Sequence, residues 1–370
     1  MRGHEQAIRR AIEEVEAVGP LEAAAMAATG DILDSLTKPP GSLGRLESLA
    51  IWLAGVTGEA RPTVQRRAIV VAAADHGVTR QGVSAYPPEV TAQMVANFLD
   101  GGAAINVLAS GVGASVTVLD VGVAGVIPRR SSTARGGGRL VDLRIRPGTD
   151  DFTLGPAMTL AEAIEAVAAG LALVDDLRSD GTDLIGVGEM GIGNTTAASA
   201  LTAAMTGSAA ASVTGFGTGI DDGTRARKIA VIEAALDRHR PDPADPLGVL
   251  AAVGGLEIGA LVGVILGAVG ARIPVVLDGF ITGAAALVAA SLAHGVTPRL
   301  LAAHRSLEPG HRIVLERLGL EPLLDLQMRL GEGTGAALAI GLIDAAVAIR
   351  DGMATFASAA VSGRSGSPVA

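Results

Sequence analysis

The 370-residue chain contains no cysteine, which removes disulfides, thiolate nucleophiles and Cys-ligated zinc or iron–sulfur centres together. That absence is compatible with a reducing cytoplasm. Aromatic residues are scarce: one Trp, one Tyr and five Phe amount to 2% of the sequence, too few for the interfacial belts of a membrane protein. Lysine is scarcer still relative to its partner cation, with only Lys38 and Lys228 among 29 basic residues. Where arginine is the default, a retained compact ammonium marks a site that a guanidinium does not suit, unless both lysines survive by chance. An excess of positive charge is also missing. Net charge is −9, which argues against a nucleic-acid face and leaves any phosphate to be held by a local device. No G-x-x-x-x-G-K-[ST] segment occurs, so a P-loop nucleotidase is excluded. The opening MRGHEQAIRRAIEEVEAVG reads as a solvated amphipathic helix rather than an export signal, and a cytoplasmic location is expected.

Apolar residues, by contrast, are abundant at 49%, and the length suffices for one large core with a smaller companion. Mean hydropathy is +0.44, and the runs IGALVGVILGAVGA from Ile258 and GFITGAAALVAASLAHG from Gly279 raise a membrane reading. Both are bounded by Glu257, Arg272, Asp278 and His294, and Ala and Gly supply most of their hydropathy. They are therefore expected as buried helices, with no membrane span. Four short runs read as buried parallel strands that end in a polar residue: RRAIVVAAADHG with Asp75 and His76, ASVTVLDVGV with Asp120, DLIGVGEMG with Glu189, and RIPVVLDGF with Asp278. In open α/β sheets the ligand lies beyond such carboxyl ends, although any single acid there also serves to cap the next helix.

Helical patterns fill the intervals at 88–99, 160–177, 224–238, 256–268 and 283–293. The expected fold is α/β: a three-layer α/β/α core with a mainly parallel sheet, plus a small helical domain formed from both chain ends. The large domain spans 66–300 and carries the ligand site at the strand ends; 1–65 and 301–370 form the smaller portion, which contributes Glu332. Arg61-Pro62 and Thr297-Pro298 mark the seams. The Gly-rich polar segment 129–138 is expected as a mobile surface loop and the tail SGRSGSPVA as frayed.

The stretch GEMGIGNTTAASAL, Gly188 to Leu201, reads as strand end, glycine turn and helix start. Gly191 and Gly193 expose backbone N–H groups, and Asn194, Thr195 and Thr196 add donors where the helix dipole favours an anion. Gly186, Gly188 and Gly191 also spell the dinucleotide fingerprint G-x-G-x-x-G. That fingerprint needs an acid roughly twenty residues further on, and none occurs between Glu189 and Asp221, which argues against a nicotinamide dehydrogenase.

A second glycine-framed acid, Glu332 between Gly331 and Gly333, opens a long apolar helix. Shielded from water it would act as a general base; otherwise it complements the helix N-terminus. The segment AADHGVTRQGVSAYPPEVTAQMV gathers Ser84, Tyr86, Gln93 and Met94 about a proline turn and resembles a lid or aromatic-ligand pocket. Tyr86 there either stacks on a flat ring or fills the core. His76 has no second His at ligand spacing, His304 and His311 read as turn and interface packing, and no metal site is expected. VVLDGFITG echoes the signature with which many phosphoribosyltransferases hold phosphoribosyl pyrophosphate, but Gly279 takes the place of the second acid. A ribosyl donor with another leaving group is then favoured.

Taken together, TKPPGSLGRLE from Thr37, DHGVTRQGVSAYPPEVTAQM from Asp75, GEMGIGNTT from Gly188, LDGFITGAAAL from Leu277, HRSLEPGH from His304 and LGLEPLLDLQMRLGEGTGAALA from Leu318 resemble the nicotinate-nucleotide–dimethylbenzimidazole phosphoribosyltransferases of cobalamin lower-ligand assembly, over nearly the whole length. The resemblance implies transfer of the phosphoribosyl group of nicotinate mononucleotide to 5,6-dimethylbenzimidazole, giving α-ribazole 5′-phosphate and nicotinate with inversion at C1′. It makes Glu332 the catalytic base and places Ser84, Tyr86, Gln93 and Met94 in the benzimidazole pocket. Glu189 then holds the substrates near the ribose, Gly191, Gly193, Asn194, Thr195 and Lys228 hold the phosphate, and Asp278 lies beside the ribosyl group. It also implies a homodimer that needs neither cofactor nor metal.

Overall fold

The computed structural model describes residues 2–128, 136–217 and 219–362. Of the polar segment 129–138, residues 129–135 lie outside the described residues, as do 363–370 of the tail. The uncharged Ala/Val/Ile runs form strands buried on both faces, as a parallel sheet requires. In chain order the strands are β1 Arg67–Ala74, β2 Ala114–Gly122, β3 Arg139–Asp142, β4 Leu184–Met190, β5 Val275–Leu277 and β6 Leu300–Ala302. They make one six-stranded sheet in the order β3-β2-β1-β4-β5-β6, parallel at every pairing. The four expected strands are β1, β2, β4 and β5. The two unexpected ones carry no long apolar run: β3 is four residues of mixed polarity, and β6 is a three-residue LLA directly after Thr297-Pro298-Arg299.

This strand order reverses direction between β1 and β4, so the carboxyl ends of those two strands flank a topological switch point, where α/β sheets bind ligands. The expected helices occur as Val90–Asp100, Leu160–Ser179, Asp222–His239, Leu256–Gly270 and Phe280–Leu292. Both candidate spans are buried helices, and among the described residues no helix is long and apolar enough to cross a membrane. Leu160–Ser179 and Leu256–Gly270 cross backbone against backbone: a Cβ on Gly170 would collide with the Ala260 carbonyl, and one on Gly263 with the Val167 carbonyl. The N-terminal helix Arg2–Val18 buries Ile8, Ala11 and Val15 and packs on this pair.

The chain divides into two compact units, Met1–Gly19 with Gln65–Ala339, and Pro20–Val64 with Ile340–Ala370. The larger holds the whole sheet and Glu332. In the smaller, helices Ala23–Ser35 and Arg45–Thr57 pack together. There TKPPGSLGRLE folds over a buried ion pair, Lys38 Nζ to Glu47 Oε1 at 2.9 Å, and the Glu47 carboxylate also accepts the amides of Gly41 and Leu43. One of the two lysines is thereby accounted for structurally.

Candidate active site

At the carboxyl ends of the strands lies a cavity of about 670 Å³. Glu189, Gly191, Asn194 and Thr195 reach it from the end of β4 and the turn that follows; Asp278, Phe280 and Thr282 follow β5; His304, Ser306 and Glu308 follow β6. Tyr86, Val90 and Met94 close one wall, and Arg329, Leu330, Gly331 and Glu332 another.

Glu332 is a non-glycine residue at φ 65°, held between Gly331 at φ 85° and Gly333 at φ 89°. A side chain in the left-handed region costs about 1 kcal/mol and persists only where its surroundings fix it. The surroundings here are specific. Asp278 accepts the amides of Gly333 at 3.1 Å and Gly335 at 2.6 Å, pinning the turn to the end of β5. On β4, Gly188 has no Cβ, and one placed there would collide with the backbone of Glu332 and Gly333. A Cβ on Gly331 would likewise strike the Glu189 carboxylate. The three-glycine frame is thus a packing requirement between loop and strand as well as a turn.

Glu332 is only 6% exposed, and its Oε2 has no hydrogen-bond partner among the described residues. Burial pushes its carboxyl up to about 7, against a hydrogen bond from the Ile105 amide, with the Asp278 charge adding to the rise. Burial likewise lifts Glu189 to about 8, helped by the charges of Asp278 and Glu257 and opposed by the Asn194 amide, which donates to Glu189. Asp278 is raised to about 7 by burial in spite of its backbone donors. Three acids titrating near neutrality around one cavity are a functional signature, since structural carboxylates are normally ionised well below that range.

Two cations also serve the cavity, one behind its lining and one within it. Lys228, 1% exposed on helix Asp222–His239, donates from Nζ to Thr195 Oγ1 at 2.7 Å. Burial draws its ammonium down to about 8, with the Glu308 charge opposing. Arg329 donates to the Gly217 carbonyl at 2.9 Å, while Glu308 Oε1 accepts the Gly217 amide at 2.8 Å. The N-terminus of helix Asn194–Thr206 points at the same place, so amides, a helix dipole and two cations converge there.

Of the residues expected at the site, Glu332, Glu189, Gly191, Asn194, Thr195, Asp278, Tyr86 and Met94 line the cavity. Gly193 and Lys228 are not among the lining residues: Gly193 sits in the turn between the lining residues Ile192 and Asn194, and Lys228 acts through Thr195. Ser84 accepts the Tyr86 amide at 3.2 Å, and Gln93 is exposed; neither lines the cavity. Tyr86 is 53% exposed at the rim, which decides against a core role. His304, expected in turn packing, lines the cavity with Nε2 3.7 Å from Asp278 Oδ1. His311 is the packing histidine: its Nδ1 accepts the Ser306 amide at 3.0 Å, and burial drives its pKa down to about 3. Ser306, Glu308 and Arg329 were not singled out from sequence, although all lie in or beside quoted motifs; for Ser306 and Glu308 the signal was position after a strand too short to read.

A family model described as Phosphoribosyltransferase matches residues 18–361. The chain is 57% identical over 352 residues to the nicotinate-nucleotide–dimethylbenzimidazole phosphoribosyltransferase of Roseiflexus sp. (strain RS-1), covering 95% of this chain and 98% of that one. It is 52% identical over 353 residues to the protein of the same name from Salinispora tropica, covering 93% and 97%. Among solved structures, the nicotinate-nucleotide–dimethylbenzimidazole phosphoribosyltransferase of Thermus thermophilus superposes with a TM-score of 0.85 at 48% identity, covering 93% of this chain and all of that one.

Proposed function

The chain belongs to the nicotinate-nucleotide–dimethylbenzimidazole phosphoribosyltransferase family, and from that premise we propose how its residues perform the transfer. It is a phosphoribosyltransferase of cobalamin lower-ligand synthesis, forming α-ribazole phosphate. The donor is nicotinate mononucleotide and the acceptor 5,6-dimethylbenzimidazole. The donor's phosphate occupies the Gly191–Thr195 turn, with Lys228 behind Thr195 supplying charge. The base enters between Tyr86, Val90 and Met94 on one side and Leu330 on the other.

One ring nitrogen of the base attacks C1′ as the bond from C1′ to the nicotinate nitrogen breaks. The bonding pair leaves with that nitrogen, turning a pyridinium into a neutral ring, so the leaving group needs no proton. Glu332 takes the proton from the other ring nitrogen, relieving the positive charge that attack creates. Attack opposite the leaving group inverts a β-nucleotide to an α-riboside. Glu189 and Asp278 face the ribosyl centre, where positive charge develops, and their carboxyl oxygens stabilise it.

The observation that carries this reading is the Gly331–Glu332–Gly333 turn: a strained, buried carboxylate with one free oxygen and a pKa raised into the range of an effective base. Family membership also supports a homodimer, which sedimentation analysis checks. The test of the reaction is incubation of purified protein with nicotinate mononucleotide and 5,6-dimethylbenzimidazole in chelator, following both products by chromatography and mass. Nicotinate and α-ribazole phosphate in equal amounts are expected. Product only after phosphoribosyl pyrophosphate and magnesium are supplied would overturn the donor assignment.

A further inference from the structure

Asp75 and His76 are the first residues beyond β1, and His76 lies under the glycine turn that follows β4. His76 is packed directly beneath the two glycines: a Cβ on Gly191 would stand 3.3 Å from its Nε2, and one on Gly193 3.2 Å from its Cβ. The imidazole is itself fixed by Glu257, Nε2 to Oε1 at 2.8 Å, with both side chains fully buried. Ile192, between the two glycines, is held differently. Its amide donates to Thr91 Oγ1 at 3.1 Å, and the Thr91 hydroxyl lies beside the Asp75 carboxylate, whose Oδ2 accepts the amide of Ala124 at 2.8 Å.

Thr91 is fully buried in the first turn of helix Val90–Asp100. On the same helix Val90 and Met94 line the cavity, as do Gly191 and Ile192 of the turn. Thr91 accepts the Ile192 amide on its hydroxyl oxygen, and because a hydroxyl can donate once while accepting, its own proton stays available on the side of the Asp75 carboxylate. The bond spends the Ile192 amide away from the cavity. It also ties the glycine turn to the helix that forms the base-binding wall.

We propose that Thr91 is a positioning residue for the donor: without touching substrate, its hydroxyl fixes the Gly191–Gly193 turn in the conformation that receives the mononucleotide phosphate. The inference rests on the reading that this turn is the phosphate site. Replacing the hydroxyl by a methyl, Thr91→Val, keeps the volume and leaves the buried Ile192 amide without its partner. Turn geometry then relaxes.

The experiment is steady-state kinetics of the full chain with both substrates, alongside calorimetric titration with nicotinate mononucleotide, for the parent, Thr91→Val and Thr91→Ser. Thr91→Val should raise KM and Kd for the mononucleotide about tenfold, the scale of one buried donor left unsatisfied, with kcat within about threefold of the parent. Thr91→Ser, which retains the hydroxyl, should return both to within about twofold. Parental mononucleotide affinity in Thr91→Val overturns the proposal even if its Tm falls, because that pattern is a purely structural role. A Thr91→Ser variant as weak as Thr91→Val also overturns it, since packing rather than the hydrogen bond is then responsible. Should Thr91→Val not fold, Thr91→Ala, which removes the same hydroxyl without adding a misplaced methyl, is read by the same criteria. A parent that binds no mononucleotide overturns this inference together with the phosphate-site reading, whereas parental binding unmoved by the substitutions overturns this inference alone.

Discussion

Glycine does two different jobs in this molecule, and comparing them separates what holds the fold from what makes the site. In the crossing of Leu160–Ser179 with Leu256–Gly270, Gly170 and Gly263 let two helix backbones touch in a region without ionisable side chains at the contact. At the end of β4, Gly188 lets a loop backbone touch a strand, and that loop carries Glu332. Both contacts are too close for a Cβ. The first buries apolar surface and tolerates small shifts in register; the second fixes the direction of one carboxylate, where displacement by a fraction of an ångström matters to chemistry.

Substitutions at the two places should therefore part company. The largest effect is expected for Gly188→Ala, whose added Cβ pushes the Glu332 peptide outward. Turnover should fall about a hundredfold while mononucleotide affinity stays near parental, as read by kcat beside a direct Kd. Parental turnover would remove the contact from the mechanism. Next comes Lys228→Ala, which should raise KM for the mononucleotide about tenfold by deleting the charge behind Thr195. Unchanged affinity would take Lys228 out of the phosphate site.

Gly263→Ala tests the other side of the comparison. Overpacking at the helix crossing should cost about 1–3 kcal/mol, measured by denaturant unfolding, with kcat per folded molecule unchanged. A loss of kcat there would mean that the helix pair and the site are not separable.

The smallest effect is a pH dependence. Glu332 must be ionised to accept a proton, so kcat/KM should climb as pH rises through about 7. Above about 8 Lys228 loses its charge, and kcat/KM should fall again. Stability runs the opposite way on the acid side. Glu332, Glu189 and Asp278 have folded pKa values raised above their unfolded ones, so the folded state favours their protonated forms. The unliganded protein should lose stability as pH rises from about 4.5 to 8, and thermal melts across that range check it.

Much of this was legible in the chain. Long uncharged runs announced β1, β2 and β4 because central parallel strands are buried on both faces, and Ala/Gly-rich runs with charged ends announced buried helices. The two glycine-framed acids stood out because close backbone approach leaves a compositional mark. What stayed hidden was set by tertiary return. β6 has three residues, so the positions of His304, Ser306 and Glu308 on the cavity wall follow from its pairing with β5, which no local pattern reveals. Thr91 is one step round its helix from Val90, and only the turn of another segment gives its hydroxyl a partner. The G-x-G-x-x-G spacing at Gly186, Gly188 and Gly191 was rightly set aside as a dinucleotide mark, yet two of those glycines have definite reasons. Gly188 accommodates the Glu332 loop, and Gly191 accommodates His76 and the end of β1.

The central claim is that the carboxylate in the glycine-framed turn removes the proton from the attacking base. The most direct measurement is nicotinate release by Glu332→Gln at saturating substrates in chelator, beside calorimetric binding of nicotinate mononucleotide to the same protein. Turnover lower by about a hundredfold or more, with mononucleotide Kd within about twofold of the parent, is the expected result. Turnover near the parental rate in a variant that folds and binds normally would contradict it.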